Sequence, residues 1–321
     1  MNNTFIEIAE QLNKYNSFLL FPHVSMDGDA LGSCVALCKA LRKKGKVSWI
    51  LIEDEIPGNL AFLDNGYCTD NQDIISDDML DCAIAIDCGE VSRFPKRSEK
   101  FQKAKVTVCI DHHMTSKPMC DYNYISQEAS ATGELIFELL KTMNEEPDSE
   151  MGEAIFAAIT TDTGNFQYSN TTKKTHEIVA ELYDWGIDSN KVSVEIYQNV
   201  RIEKMIITNR ALDHVEIFGD GKIAMAYLTK KELEEVGAES SETEEVINRL
   251  RDIKGVEYAC FIKEKEEKVI RVSLRAKSSG DVAKIAKAIG GGGHIKAAGA
   301  TLYMTLEEAR ELLKKELIKE L

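Results

Sequence analysis

The chain has 321 residues and a formal net charge of −15, with 44% hydrophobic and 29% charged residues. This is the composition of an ordinary globular protein, and the length allows two domains with separate cores. The acidic balance argues against a protein that coats long nucleic acid electrostatically. No apolar window reaches the about 18 residues that a transmembrane helix needs, and the N-terminus lacks the basic and apolar stretches of a signal peptide. We therefore expect neither a membrane nor long duplex nucleic acid as a partner.

Eight cysteines are scattered along the chain without a C-x-x-C pair. Cys82, Cys88 and Cys109 lie in or beside apolar runs. Buried reduced thiols of this kind are typical of cytoplasmic proteins, so we expect a cytoplasmic location. A homodimer is compatible with the sequence.

Apolar strands alternate with amphipathic helices in the first half of the chain. Strands are predicted at 17–22, 46–52, 82–87 and 106–111, and helices at 29–45, about 130–143, 151–161 and 173–185. This alternation predicts an α/β domain with a largely parallel sheet, which we assign to residues 1–186.

The pattern changes after residue 186. Residues 187–210 are interpreted as a helical linker, and residues 211–321 as a smaller α+β domain. A hairpin at 214–229 is predicted with Asp220 and Gly221 at its turn. A helix at 241–253, strands at 257–264 and 268–277, and helices at 281–290 and 306–321 complete the second domain.

Acids and histidines follow apolar runs at four places in the first domain. They are His23, Asp27 and Asp29; Asp87; Asp111, His112 and His113; and Asp162. In a parallel sheet the carboxyl ends of the strands share one edge, where ligands bind. We therefore expect the first three groups to converge there and Asp162 to join them from a helix end.

Five converging carboxylates would repel each other, and several would have to protonate without a counter-charge. Carboxylate oxygen and imidazole nitrogen without thiolate suit Mn²⁺, and also Mg²⁺, Co²⁺ or Zn²⁺. One acid could bridge two ions roughly 3.5–4 Å apart, the arrangement used for in-line phosphoryl displacement. Each group alone has a structural explanation: Asp27 or Asp29 as a helix N-cap, Asp87 as a turn acid, His23 as a hydrogen-bonded core histidine, Asp162 as a loop cap. The joint pattern favours the metal site.

A second motif, GGGGHIK, lies at 290–296 within a basic segment. Seven basic residues and one acid fall between Lys268 and Ala300. Consecutive glycines allow backbone N–H groups to turn toward an anion, and Arg275 could add a bidentate phosphate contact. A flexible glycine turn on a solvated basic face is the alternative. The combination favours binding of a small anionic ligand.

With these motifs in place, the chain resembles the DHH phosphoesterases of the DHH–DHHA1 subfamily, close to bacterial oligoribonucleases that also dephosphorylate 3′-phosphoadenosine 5′-phosphate (pAp; the nanoRNase type). The resemblance rests on His23-x3-Asp27-x-Asp29, Asp87, Asp111-His112-His113, TDTGNFQYSNTT (161–172) and GGGGHIKAAG (290–299). Many relatives carry a basic residue after the DTG of the fourth of these motifs, where Asn165 stands here. The motifs occur in the family's order over nearly the whole chain.

The resemblance implies two divalent ions, most simply Mn²⁺, and a role for each matched residue. His23, Asp27 and Asp87 match the ligands of one ion, whereas Asp29, Asp87, His112 and Asp162 match those of the other. Asp111 is expected to orient the histidines and His113 to face the phosphate, so the catalytic residues are His113, Asp111 and Asp87. The second domain is expected to bind substrate across an interdomain cleft. Its substrate-binding residues would be Arg275, Gly291, Gly292, Gly293, His294 and Lys296.

The function predicted on this basis is metal-dependent hydrolysis of short single-stranded RNA to nucleoside 5′-monophosphates, together with dephosphorylation of pAp. One alternative is a phosphodiesterase that acts on cyclic or linear dinucleotides such as cyclic di-AMP and pApA. Another is a nucleotide-sensing protein without turnover, against which the complete ligand set argues.

Overall fold

The computed structural model describes residues 2–321, which form two compact units. The division falls after Asn199, and the second unit is Val200–Leu321. No helix within residues 2–321 has both the length and the apolar character needed to cross a membrane.

The first unit is an α/β domain built on a six-stranded parallel sheet in the order β3-β2-β1-β4-β5-β6. Its strands are β1 (Ser17–Phe21), β2 (Val47–Leu51), β3 (Cys68–Thr69), β4 (Cys82–Ile86), β5 (Val106–Asp111) and β6 (Tyr122–Ile125). Its helices are α1 (Phe5–Lys14), α2 (Gly28–Lys43), α3 (Ser98–Gln102), α4 (Thr132–Thr142), α5 (Ser149–Asp162), α6 (Lys173–Asp184) and α7 (Ser189–Tyr197). The predicted parallel α/β domain is confirmed.

The central strands are apolar throughout because both faces of the sheet are covered. In β1, Phe18 and Leu20 contribute to the core that α2, α4 and α5 cover, whereas Leu19 and Phe21 contribute to the core on the opposite face. Every residue of β1 and β4 is buried. These two strands lie next to each other in the middle of the sheet.

The second unit contains a mixed six-stranded sheet in the order β11-β12-β10-β9-β8-β7. Its strands are β7 (Glu216–Phe218), β8 (Ile223–Leu228), β9 (Tyr258–Glu266), β10 (Val269–Ala276), β11 (Gly292–Gly293) and β12 (Ala297–Leu302). Its helices are α8 (Ile202–Asp213), α9 (Lys230–Val236), α10 (Glu245–Asp252), α11 (Val282–Ala288) and α12 (Leu306–Ile318). Only β8 and β9 pair in parallel, and the predicted hairpin corresponds to β7 and β8, with Asp220 and Gly221 both at positive φ.

The sequence interpretation differs from the structure in the elements that it missed and in the packing of the predicted linker. It assigned no element to α1, α3, α9, β3, β6, β11 or β12, although Thr4 and Glu7 form a capping box at the start of α1. The segment predicted as a linker contains α7 and α8, each packed into a different unit: Val192 lies in the core of the first, and Ile207 in a core of the second. The helical character of this segment was therefore readable from the sequence, but its packing was not.

Candidate metal centre

The predicted acids and histidines meet at the carboxyl edge of the first sheet. β4 lies between β1 and β5, so the residues that follow these three strands share one region. After β1 the chain forms β2 and β3 on one side of this strand, and it then crosses to form β4, β5 and β6 on the other side. Ligands bind at such a switch point in open α/β sheets. Asp162, the last residue of α5, reaches the same region.

One group of ligand atoms comes from His23, Asp27 and Asp87. The Nε2 atom of His23 lies 3.8 Å from an oxygen of Asp27 and 3.6 Å from one of Asp87. The other ring nitrogen, Nδ1, lies 2.8 Å from the carbonyl oxygen of Val24. Since Nδ1–H donates to that carbonyl, the Nε2 lone pair is directed at the carboxylates, as a metal ligand requires.

A second group surrounds His112. Its Nε2 lies 3.6 Å from one carboxylate oxygen each of Asp29, Asp87 and Asp162. This nitrogen is buried and has no hydrogen-bond partner among the described residues, while Nδ1 lies 3.2 Å from the carbonyl oxygen of Ala129. A buried imidazole nitrogen that faces three carboxylates without a hydrogen bond fits a cation placed between them. These residues therefore suit a divalent metal, and Asp87 belongs to both groups.

The electrostatics of the second group favour a bound cation. Burial, together with the charges of Asp87, Asp162 and Asp27, raises the pKa of Asp29 well above its ordinary value. Burial likewise raises the pKa of Asp162 to about 6, against the opposing effect of His112. Asp162 also occupies the C-terminal end of α5, where the helix dipole disfavours a negative charge. Without metal, protons must neutralise this cluster.

The carboxylates also raise the pKa of a base, the imidazole of His23. Burial disfavours its charged form, but its interactions with Asp27 and Asp87 prevail and raise the pKa of the imidazole to about 10. A metal ion on Nε2 would replace this proton, so binding and proton release are coupled.

The Asp111 triplet has an internal hydrogen-bond arrangement of its own. Asp111 is fully buried and accepts hydrogen bonds from the backbone N–H of His113, from His113 Nδ1 and from the hydroxyl of Ser116. The bond to Asp111, which outweighs the effect of burial, raises the pKa of His113 to about 9. The side chain of His113 is 46% exposed, so Asp111 orients an imidazole that remains accessible.

Asp87 has a left-handed backbone, with φ of 59°. This region is unfavourable for residues other than glycine and is populated mainly by Asn and Asp. The conformation occurs one residue after β4 ends and directs the Asp87 side chain into both ligand groups. Local strain at such a position is typical of functional sites.

The predicted substrate-binding residues lie in the second unit. Arg275 is on β10, paired with Ala297 of β12. The N–H of Gly291 donates to the carbonyl of Ala286 at the end of α11, so this amide is not directed at a ligand. A Cβ on Gly291 would lie 2.2 Å from the carbonyl oxygen of Gly299. The glycine is thus required by close packing of the backbone against β12.

The remaining residues of this motif differ in their surroundings. Gly292, Gly293 and His294 are exposed. The Nζ atom of Lys296 donates to the carbonyls of Ser278 and Gly280, 3.1 Å away in the case of Gly280. Lys296 therefore fixes the loop before α11, a role that its position in a basic segment did not reveal.

Residues that contact the metal-ligand candidates were missed in the sequence, among them Thr132 and Asn170. Thr132 donates to both Asp29 and Asp87. Asn170 donates to the carbonyl of Asp162 at 3.1 Å and to that of Ser130 at 2.9 Å. Thr132 is an ordinary residue for the start of a helix, and no local signal distinguishes it. Asn170 lies within the 161–172 motif, which could have marked it.

Asn165 lies in a left-handed turn. Gly164, Asn165 and Phe166 have successive φ values of 56°, 56° and 65°. The N–H of Asn165 donates to the carbonyl of Thr160 at 2.7 Å, and its side-chain oxygen accepts from the Thr160 hydroxyl at 3.2 Å. Asn tolerates this conformation better than a long basic residue would, so its contribution here is to the turn that follows Asp162.

Two family models match the chain. The model described as the DHH family, N-terminal domain, matches residues 17–161, and the DHHA1 domain matches residues 220–321. The bifunctional oligoribonuclease and PAP phosphatase NrnA of Bacillus subtilis is 28% identical, over 96% of this chain and 96% of its own length. NrnA of Thermus thermophilus is 28% identical over 90% of this chain and 85% of its own. An exopolyphosphatase-related protein of Bacteroides fragilis has a similar crystal structure, with a TM-score of 0.90, 25% identity, and coverage of 98% of this chain and 96% of that one.

Proposed function

Because the chain belongs to the DHH–DHHA1 family of phosphoesterases, we propose that it hydrolyses short RNA oligonucleotides to nucleoside 5′-monophosphates and dephosphorylates pAp. The observation that carries the proposal is the buried Nε2 of His112, which faces carboxylates of Asp29, Asp87 and Asp162 without a hydrogen bond. The names of the two NrnA relatives support the choice of substrates. The domain boundaries, 1–186 and 211–321 with a linker of 187–210, and the cytoplasmic location remain part of the proposal.

Two Mn²⁺ ions are the proposed cofactors. His23, Asp27 and Asp87 would hold one, and Asp29, Asp87, His112 and Asp162 the other. When bound, the metal supplies the positive charge that polarises a phosphoryl group and lowers the pKa of an attacking water. The protein contributes a ligand set whose imidazole tautomers are fixed by the carbonyls of Val24 and Ala129.

His113 is the proposed catalytic residue outside the ligand set. Asp111 accepts the Nδ1–H of His113, which leaves Nε2 to donate to a phosphate oxygen. The raised pKa of His113, about 9, keeps the imidazole charged at neutral pH. A charged donor aimed at the phosphate stabilises the negative charge that develops there during displacement.

Arg275, Gly291, Gly292, Gly293, His294 and Lys296 are proposed to hold the rest of the substrate. Arg275 and His294 would act through their side chains, and exposed Gly292 and Gly293 through their backbones. Gly291 and Lys296 would act by shaping this segment, since the N–H of the first and the ammonium of the second donate to carbonyls of the protein.

The test is turnover of a five-nucleotide RNA, pAp, pApA and cyclic di-AMP, side by side in Mn²⁺. We expect the RNA and pAp to be hydrolysed, with nucleoside 5′-monophosphates as products. Preferential cleavage of cyclic di-AMP over the RNA, pApA and pAp would replace the proposal by the signalling-dinucleotide alternative. Binding of all four without turnover would indicate a sensor.

A further inference from the structure

The start of helix α4 contacts two of the proposed metal ligands through a single residue. The backbone N–H of Thr132 donates to Oδ2 of Asp29 at 2.7 Å, and the hydroxyl of Thr132 donates to Oδ1 of Asp87 at 2.7 Å. Asp29 and Asp87 are 1% and 2% exposed, and Thr132 is fully buried. These bonds are therefore shielded from water, and hydrogen bonds to charged groups are strong in such a buried environment.

The oxygens that Thr132 contacts are the ones that face His112. Oδ2 of Asp29 and Oδ1 of Asp87 each lie 3.6 Å from Nε2 of His112. A carboxylate can rotate about its terminal torsion, which has a broad energy profile. The two bonds from Thr132 select the rotation in which these oxygens point at the imidazole nitrogen.

Asp29 is further supported by its surroundings, whereas Asp87 depends more on Thr132. The N–H of Gly133 donates to Oδ1 of Asp29 at 2.9 Å, and the hydroxyl of Ser33 donates to the same oxygen at 3.1 Å. For Asp87, Thr132 supplies a neutral hydroxyl donor, while the neighbouring groups are histidines at 3.6 Å. Deleting the hydroxyl should therefore disturb Asp87 chiefly.

We infer that Thr132 is a positioning residue for the metal centre, whose hydroxyl holds the shared ligand Asp87 in its metal-binding orientation. This inference rests on the proposed function only in assuming a metal at these ligands. Outer contacts of this kind orient metal ligands, and their loss typically lowers metal affinity by about 10- to 100-fold. Without the hydrogen bonds from Thr132, repulsion between the carboxylates of Asp29 and Asp87 would also move the two side chains apart.

The hydroxyl can be tested separately from the backbone amide. Thr132→Val keeps the shape and the N–H but removes the donor, and Thr132→Ser keeps the donor. Thr243→Val is the matched control, because Thr243 is also fully buried, and its hydroxyl contacts Ser240 and Lys263 rather than a proposed ligand. Ser33→Ala removes a donor to Asp29 alone.

The measurement is calorimetric Mn²⁺ titration of metal-stripped protein, with thermal melting of the same samples. Thr132→Val should weaken Mn²⁺ binding about tenfold or more, while Thr132→Ser and Thr243→Val bind like the parent. Parent-like affinity in Thr132→Val, or equal losses in the Val and Ser variants, would overturn the inference. If Thr132→Val does not fold, Thr132→Ser against Thr132→Ala decides in the same way. Because the readout is metal binding, an absence of RNA or pAp hydrolysis would refute the proposed function and leave this result intact.

Discussion

The Nδ1 atom of His113 lies 2.7 Å from Oδ1 of Asp111. Because Asp111 is fully buried and His113 is partly exposed, the bond joins an inaccessible acid to an accessible base. Its effect is to fix the tautomer and the ring orientation of His113 and to keep the ring protonated.

Replacement of His113 by Gln should lower kcat and leave Mn²⁺ affinity close to that of the parent. Loss of one preorganised donor at the reacting phosphate typically costs about 10²–10³ in kcat. Steady-state kinetics on pAp, with a parallel Mn²⁺ titration, separates the two quantities. His176→Ala is the control, since this exposed histidine stacks on Phe166 and belongs to neither ligand group. An unchanged kcat in His113→Gln would show that the ring does not meet the phosphate.

Substitution of Asp87 should remove metal binding, with different costs to the fold. Asp87→Asn and Asp87→Ala should both reduce hydrolysis to background, because both lose the carboxylate shared by the two groups. Asn tolerates the left-handed φ of 59°, whereas Ala should cost a further 1–2 kcal/mol, roughly, of unfolding free energy. Thermal or urea unfolding of the metal-free variants compares them. Equal stabilities would show that the backbone strain at Asp87 is negligible.

Chelation should abolish hydrolysis, and Mn²⁺ should restore it better than Ca²⁺. The reason is geometric: Ca²⁺ prefers six to eight oxygen ligands and longer bonds, while these groups combine carboxylates with imidazoles. The measurement is pAp turnover after dialysis against EDTA, followed by titration with each ion. Full activity in excess EDTA would contradict a metal-dependent reaction.

Mn²⁺ affinity should increase with pH between about 6 and 9. In the metal-free protein the pKa of Asp162 is raised to about 6 and that of His23 to about 10, so protons occupy the positions of the metal. Metal binding must displace them. Calorimetry in two buffers of different ionisation enthalpy counts the protons released, and a pH-independent affinity would argue against these pKa values.

The stability of the metal-free protein should decrease as pH rises, whereas its Mn²⁺ affinity should increase. A group whose pKa is higher in the folded than in the unfolded state stabilises the fold below its unfolded pKa, and this contribution is lost as pH rises through the folded value. The stabilising contribution of Asp162 is lost between about pH 3.8 and about pH 6, and that of His23 between about pH 6.5 and about pH 10. The melting temperature of the metal-free protein should therefore fall from pH 6.5 to pH 10, and saturating Mn²⁺ should flatten the profile.

Short oligonucleotides should be better substrates than long ones. The net charge of −15 repels a long polyanion, and the basic segment offers partners for only a few phosphates. We expect 2- to 5-mers to be cut roughly tenfold faster than a 24-mer, equivalent to ~1.4 kcal/mol of transition-state binding. A length series in saturating Mn²⁺ measures this, and equal rates on a 3-mer and a 24-mer would contradict it.

Variants of the basic segment should impair substrate use without affecting the metal. Arg275→Ala and His294→Ala should each lose ~1–3 kcal/mol in kcat/KM, the range for a hydrogen bond to a charged group. Mn²⁺ affinity should stay at the parent value. Lys287→Ala, an exposed cation at the end of α11, serves as the control. Variants that hydrolyse pAp like the parent would exclude these residues from the substrate site.

Much of the candidate metal centre could be predicted because it depends on the ends of strands. Apolar runs identified β1, β4 and β5, and parallel sheets bring such ends to one edge regardless of loop detail. The sequence left Asp27 and Asp29 as alternative N-caps of α2, and the structure places Asp27 in that position. The two-residue strand β3 and the short strand β6 were missed because their few residues carry no clear period.

The sequence by itself determined the parallel α/β domain, the α+β domain that follows it and the set of acids and histidines that converge. These features rest on local patterns of apolar and charged residues, which are repeated along each element. Only the tertiary structure decided the contacts of Thr132 with Asp29 and Asp87, the use of the Gly291 amide by α11, and the attachment of Lys296 to the loop at 278–280. Each of these joins groups from different elements by a hydrogen bond of fixed length and direction, and no local pattern records such a distance.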